Sequence, residues 1–393
     1  MGPPYDERVG PGAGDPDEFA EAPLFREIRR ILTSSTGPVN WELARQIGIA
    51  SGREGRDDPD PSDADRRSHE EAVRVAELNV GRFTSLEPPS DVPEVRTVRI
   101  AEWVAQNVEG LRDLLEPAAG KVTTAIREVS SDAMPENTGP IGGLLEQLSP
   151  LLLGAQVGTV LGFLAERVLA QYDIAVPRSG PARLLFVHTN ISRFEHDWSL
   201  DPTDFRTFVA IHEVTHRFEF TRSWAAPRFR DLLDDFLSTL RIDVTGLAGR
   251  IGAMDPSDPE GMQRLLESEE GLFGAVLDEE QRIKLGRVQA FMAAAEGYGD
   301  HVAHGIGREL LPSYPRIEEA MRRYREEERG DPVFERLLGI EMKREQYAHG
   351  RRFCDTVAEL TDESTLTRMW DSPDTMPSLP EIEEPRLWLA RTV

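Results

Sequence analysis

The stretch FVAIHEVTHRFEF, residues 208–220, sets two histidines four positions apart with a glutamate directly after the first. DPTDF, residues 201–205, gives it a helix start, with Asp201 as cap and Pro202 at the first helical position. On a helix, residues four apart differ by about 40° in direction, so His212 and His216 project from one face. Each can offer one nitrogen to the same zinc ion. Glu213 lies about 100° round from His212, where it reaches a metal-activated water rather than the metal. This is the logic of His-Glu-x-x-His zinc hydrolysis, in which the metal acidifies water and the glutamate takes its proton. Phe205, Phe208, Val209, Ile211, Thr215 and Phe218 make the helix mostly buried, and buried histidines need partners.

The motif alone does not decide the matter. With 8 histidines in 393 residues, chance produces the pattern about once or twice per hundred such chains. A catalytic zinc site also wants a third protein ligand and an open position. AAAEGYGDHVAHG, residues 293–305, offers Glu296 and Asp300 four apart on one helix face. Glu296 can ligate the metal while Asp300 receives the free imidazole N–H of His212 or His216, fixing its tautomer. His304, about 80° round from Glu296, is the alternative third ligand or an outer support; His301, at about 140°, is less well placed. Gly297 and Gly299 cost helix stability and imply that a second backbone comes very close.

Elsewhere the chain reads as mostly helical. Residues 1–20 are rich in Gly, Pro and Asp and read as disordered. Residues 21–140 form a helical N-terminal region, with helices near 22–32, 41–47, 68–83 and 100–115 and a solvated acidic linker at 52–67. A soft boundary near residue 141 opens the larger part, 141–393. Within it, ARLLFVHTN, residues 182–190, is the best strand, an edge or an interior one, and carries His188. Further helices are expected near 228–250, 259–274, 278–298, 315–329 and 333–360, those between about 225 and 290 forming an insertion near the site. Trp224 and Phe229 read as core aromatics. Lys343, Tyr347 and His349 are candidate oxyanion donors. Glu219, three positions from His216, reads first as a residue of a solvated face, the alternative being a hydrogen-bond acceptor behind that histidine.

Composition narrows the partners. The chain carries 45 Lys+Arg against 70 Asp+Glu, a formal charge of -25. Such a surface repels phosphate backbones and anionic membranes, so neither nucleic acid nor membrane is an expected partner. A single cysteine, Cys354, and a start without the basic and apolar regions of a signal peptide point to the cytoplasm. The most apolar stretch, residues 151–165, is short for a membrane span, and Gly154, Gly158 and Gly162 on one side would let another helix approach closely.

His212-Glu213-x-x-His216 together with Glu296-x-x-x-Asp300 resembles the glutamate-ligand branch of the zincin metallopeptidases. More narrowly, residues from about 141 onward resemble a family of zincin-like hydrolases named for an association with deazaflavin-cofactor biosynthesis. The segments that carry this likeness include LLGAQVGTVLGFLAERVLAQYD, EGYGDHV and KREQYAHGRRF. The resemblance implies a zincin-like α+β core, predominantly helical with a small sheet, one zinc ion held by two helices, and a peptide or other amide or ester substrate. Glu296 stands 80 positions after His216, far more than in thermolysin-like peptidases, so substrate preference does not carry over. The competing expectation is a zincin-like scaffold without catalysis, its site structural or metal-free. Glu213 speaks against it, since structural ligands need no carboxylate there.

Overall fold

The computed structural model describes residues 37–132, 139–172, 183–239, 278–327 and 345–392. In chain order the elements are α1 (Trp41–Arg53), α2 (Asp63–Thr84), β1 (Glu94–Val98), α3 (Ile100–Asp132), α4 (Gly139–Arg167), β2 (Ala170–Tyr172), β3 (Arg183–Val187) and α5 (His188–Asp197). There follow α6 (Pro202–Phe220), α7 (Ala225–Thr239), α8 (Glu279–Leu310), α9 (Tyr314–Glu327), α10 (Glu345–Leu360), α11 (Glu363–Thr367), α12 (Leu379–Glu383) and α13 (Pro385–Thr392). The fold is the expected α+β type, predominantly helical with one small sheet.

The sheet order is β1-β3-β2, with β1 parallel and β2 antiparallel to the central β3. β3 is the RLLFV run, and its apolar continuity follows from burial on both faces. Alternation sends Leu184 and Phe186 into one apolar cluster and Leu185 and Val187 into the other. The first cluster gathers α2, α6, α8 and α10; the second gathers α1, α3 and α4. Elements on both sides of residue 141 therefore share each core. Of the two readings for the strand at 182–190, the interior one holds, and among the described residues the edges are β1 and β2. Neither β1 nor β2 was expected, and His188 opens α5 rather than extending the strand.

Close helix crossings shape the rest. On α4, a Cβ at Gly158 would stand 2.6 Å from the Ala44 carbonyl of α1, so the glycine face exists to seat that helix. By length and composition Ser149–Arg167 passes for a membrane span, yet its glycine side is covered by α1. The acidic stretch 52–67 is largely structured: α1 runs into it, α2 starts within it, and the loop between ties down Asp58. That carboxylate accepts from the Ile100 and Ala101 backbones at 3.0 and 3.1 Å and from the Thr189 hydroxyl at 2.8 Å. It caps α3, so Asp58 departs from the solvated linker expected there, while most of the stretch is exposed. The helices expected near 22–32 and 259–274 lie outside the described residues, as do parts of those near 228–250 and 333–360.

The motif helix α6 starts as read, with Asp201 accepting from the Thr203 and Asp204 backbones at 3.0 Å. Arg217 on its back is fully buried, paired with Glu77 of α2 and with Asp91. Below it, Phe220, Phe229, Phe291 and Trp370 form an aromatic cluster with Trp224 alongside, the core role expected of Trp224 and Phe229.

α8 carries Glu296 and is fastened from the opposite side. Gly297 meets Gly350 of α10 so closely that a Cβ on Gly297 would overlap the Gly350 backbone, and one on Gly350 would overlap the Ala293 carbonyl one turn earlier on α8. His301 completes the fastening: its Nδ1 lies 2.6 Å from Asp355 of α10 and its Nε2 3.0 Å from Glu363 of α11. Burial alone would lower the His301 pKa, but the two carboxylates outweigh it and push it up to about 9. In the unfolded chain the ordinary value is about 6.5. The clamp's stabilisation is thus full below about pH 6.5 and is lost as pH rises through about 9. Discounted for solvent at the two partly exposed carboxylates, it amounts to roughly 1–3 kcal/mol. In urea titrations, the stability advantage of the native chain over His301→Gln should shrink by that amount between pH 6 and 9.5. A difference that does not vary with pH would show that the clamp carries no charge.

Candidate metal centre

α6 and α8 cross with their polar residues facing one another. The His212 and His216 rings stand perpendicular, with centroids 4.7 Å apart. His216 Nε2 lies 3.7 Å from Glu296 Oε1, and His212 Nε2 lies 3.9 Å from Glu296 Oε2. One ligand atom from each of His212, His216 and Glu296 falls within 4.8 Å of the other two. Tetrahedral coordination at about 2.0–2.1 Å separates neighbouring donors by about 3.4 Å, so the three need only small adjustments to share one ion.

Gly299 makes this possible. It does not meet a second backbone, as Gly297 does. A Cβ there would stand 3.0 Å from His216 Cε1 and 3.2 Å from His212 Nε2. The missing side chain leaves the two imidazoles their room, on the side where a cation would sit.

The histidines are supported differently from one another. His216 Nδ1 lies 2.8 Å from Glu219 Oε2, and Glu219 is fully buried. The expectation of a solvated face for Glu219 is overturned: α8 packs over that side of α6. His212 Nδ1 lies 3.5 Å from Glu213 Oε1. Asp300 Oδ1 lies 3.5 Å from His212 Nε2, the nitrogen that also faces Glu296. Asp300 therefore sits on the open side of the imidazole rather than behind it. His304 is not brought to this group. Its Nδ1 is 2.7 Å from the Tyr314 hydroxyl, which in turn donates to Glu318, and its ring packs edge-on against Phe208.

Glu213 has a partner that no side-chain pattern announces. Its Oε2 accepts a 2.6 Å hydrogen bond from the Tyr172 backbone N–H at the end of edge strand β2. Burial alone would push its carboxyl up. The neighbouring His212 and His216 and the Tyr172 N–H outweigh that and hold it below the usual glutamate value. It is therefore ionised at neutral pH and ready to accept a proton. Burial works against charge on His212 and His216, but the carboxylates around them prevail. Asp300 and Glu213 raise His212, while Glu219 and Glu296 raise His216 to about 9. Burial keeps the Glu219 carboxyl above its ordinary value, with His216 opposing. Two imidazoles ringed by Glu213, Glu219, Glu296 and Asp300 form a field that favours a cation.

The sequence profile of the zincin-like metallopeptidases matches residues 39–389. The chain belongs to that family. A crystal structure from Chloroflexus aurantiacus, described as a candidate hydrolase with a novel fold, is similar to it at 28% identity and a TM-score of 0.62. The match covers 90% of this chain and 98% of that one. No curated protein matches the chain. The family implies a metal, zinc as a rule, and the two-nitrogen, one-carboxylate donor set with its glycine-cleared space fits one. Of the oxyanion candidates, Lys343 and the side chain of Tyr347 lie outside the described residues.

Gly299→Ala separates folding from metal retention. Alanine gains about 1 kcal/mol in helix propensity, while its methyl crowds both imidazoles. The expected product is a folded protein, no less stable when metal-free, that loses zinc at least about tenfold more readily in chelator competition. Unaltered affinity would mean that the cation binds somewhere else.

Proposed function

We propose that the chain is a zinc-dependent hydrolase, and most specifically a metallopeptidase, working with one zinc ion held by His212, His216 and Glu296. The observation that carries this is the convergence of those three donors across the α6–α8 crossing, with the ionised Glu213 beside the first of them. Bound there, zinc would supply Lewis acidity, lowering the pKa of water and polarising a carbonyl.

Glu213 is the general base. Its carboxylate, held in position by the Tyr172 N–H, takes a proton from the attacking water and can return it to the leaving amine. Asp300, facing the same nitrogen of His212 as Glu296 does, adds negative charge on the side where the ion would sit; His304 acts more remotely, keeping Phe208 and Tyr314 packed beneath the crossing. The substrate is an extended peptide or another amide or ester. β2 reaches the site as a sheet edge among the described residues, and such an edge suits backbone pairing with an extended chain. The formal charge of -25 disfavours nucleic acid as substrate. The single cysteine, buried and free, is compatible with work in the cytoplasm.

Metal analysis of the full chain purified without a histidine tag tests this reading. Zinc near one equivalent is expected, lost in His212→Ala and Glu296→Ala and kept in Glu213→Gln. Against a mixed peptide pool, Glu213→Gln should cut turnover by about 10²–10⁴-fold at unchanged metal content. Zinc bound with no hydrolysis by the native chain would favour a scaffold role, and failure to take up zinc at all would remove the proposal.

A further inference from the structure

We infer that Glu219 is the positioning residue that sets His216 for metal binding, by fixing which ring nitrogen carries the proton. This rests on His212, His216 and Glu296 being the ligands. A neutral ring that binds an ion through Nε2 has its one hydrogen on Nδ1, and Glu219 Oε2 stands 2.8 Å from that atom, placed to accept it. The lone pair of the neutral ring is then on Nε2, the nitrogen 3.7 Å from Glu296. No other described group offers His216 Nδ1 a contact of that kind, and Asp300, the acid expected for the task, faces His212 Nε2 instead.

Burial argues the same way. Glu219 is fully buried, and its Oε1 has no hydrogen-bond partner among the described residues. A position that serves only packing is better filled by an apolar side chain, because a buried carboxylate with one oxygen unsatisfied costs stability. The arrangement becomes favourable when a divalent cation shares the imidazole. An ion on Nε2 draws electrons from the ring and makes its Nδ1–H a stronger donor, which Glu219 accepts. The contact is also local, three residues apart on α6, so it does not depend on α8 being in place.

The test compares the untagged full chain with Glu219→Gln and Glu219→Leu, reading zinc affinity by competition with a chromophoric chelator and thermal stability after metal removal. Glutamine keeps an acceptor without the charge; leucine removes both. Zinc affinity is expected to fall about tenfold in Glu219→Gln and about 100-fold in Glu219→Leu, while the metal-free leucine variant melts no lower than the native chain. That divergence is what a merely structural residue would not give. Affinity within twofold of native in Glu219→Leu, or a loss that simply tracks lower metal-free stability, overturns the assignment and leaves the ligand reading intact. A native chain that takes up no zinc overturns both.

Discussion

The approach of α8 to the two imidazoles of α6 is the constraint on which the site depends. Glu296 can face both Nε2 atoms only because Gly299 offers no side chain where those rings lie. The crossing would drift if α8 were held from that side alone. It is instead backed by α10, through the Gly297–Gly350 contact and the His301 clamp to Asp355 and Glu363. Within eight residues, 296–303, α8 thus presents a ligand to one neighbour and bare backbone to another. Helix propensity is given up twice there, at two glycines, in exchange for distances that no bulkier residue permits.

A second dependence runs through charge. Four carboxylates near two histidines would be strongly unfavourable without a cation or protons to balance them. In the metal-free protein the protons serve, which is why both histidines titrate high. Glu213 stands apart from the other acids because a backbone N–H adds to the two histidines that stabilise it. That bond links the sheet to the chemistry: β2 hangs on β3, β3 is buried on both faces, and the end of β2 holds the base.

How much of this was legible in the sequence follows from the range of each interaction. The motif helix, its Asp201 and Pro202 start, and the pairing of Glu296 with Asp300 are set by spacings of a few residues, and periodicity exposes them. The central strand showed as an apolar run, but whether it was an edge depended on β1 and β2, which are too short to declare themselves. Asp58, inside a stretch of acidic composition, looked solvated; its partners Ile100, Ala101 and Thr189 are far along the chain. Glu219 was misjudged for the same reason. Its spacing from His216 was visible, but a carboxylate on an outward face reads as solvated until α8 is laid over it. The Tyr172–Glu213 bond left no trace at all, because a backbone donor has no side-chain signature.

The two histidines therefore differ in when they become competent as well as in what they touch. The partner of His216 lies one turn along the same helix, so its ring can be oriented as soon as α6 forms. His212 is held by looser contacts, two of them to Glu296 and Asp300, which arrive only with α8. A site assembled this way presents one ring already set and completes the other on docking. Orienting His216 in advance removes part of the ordering cost that binding would otherwise carry. It also leaves the freedom at His212, beside the base, where a substrate carbonyl must be accommodated.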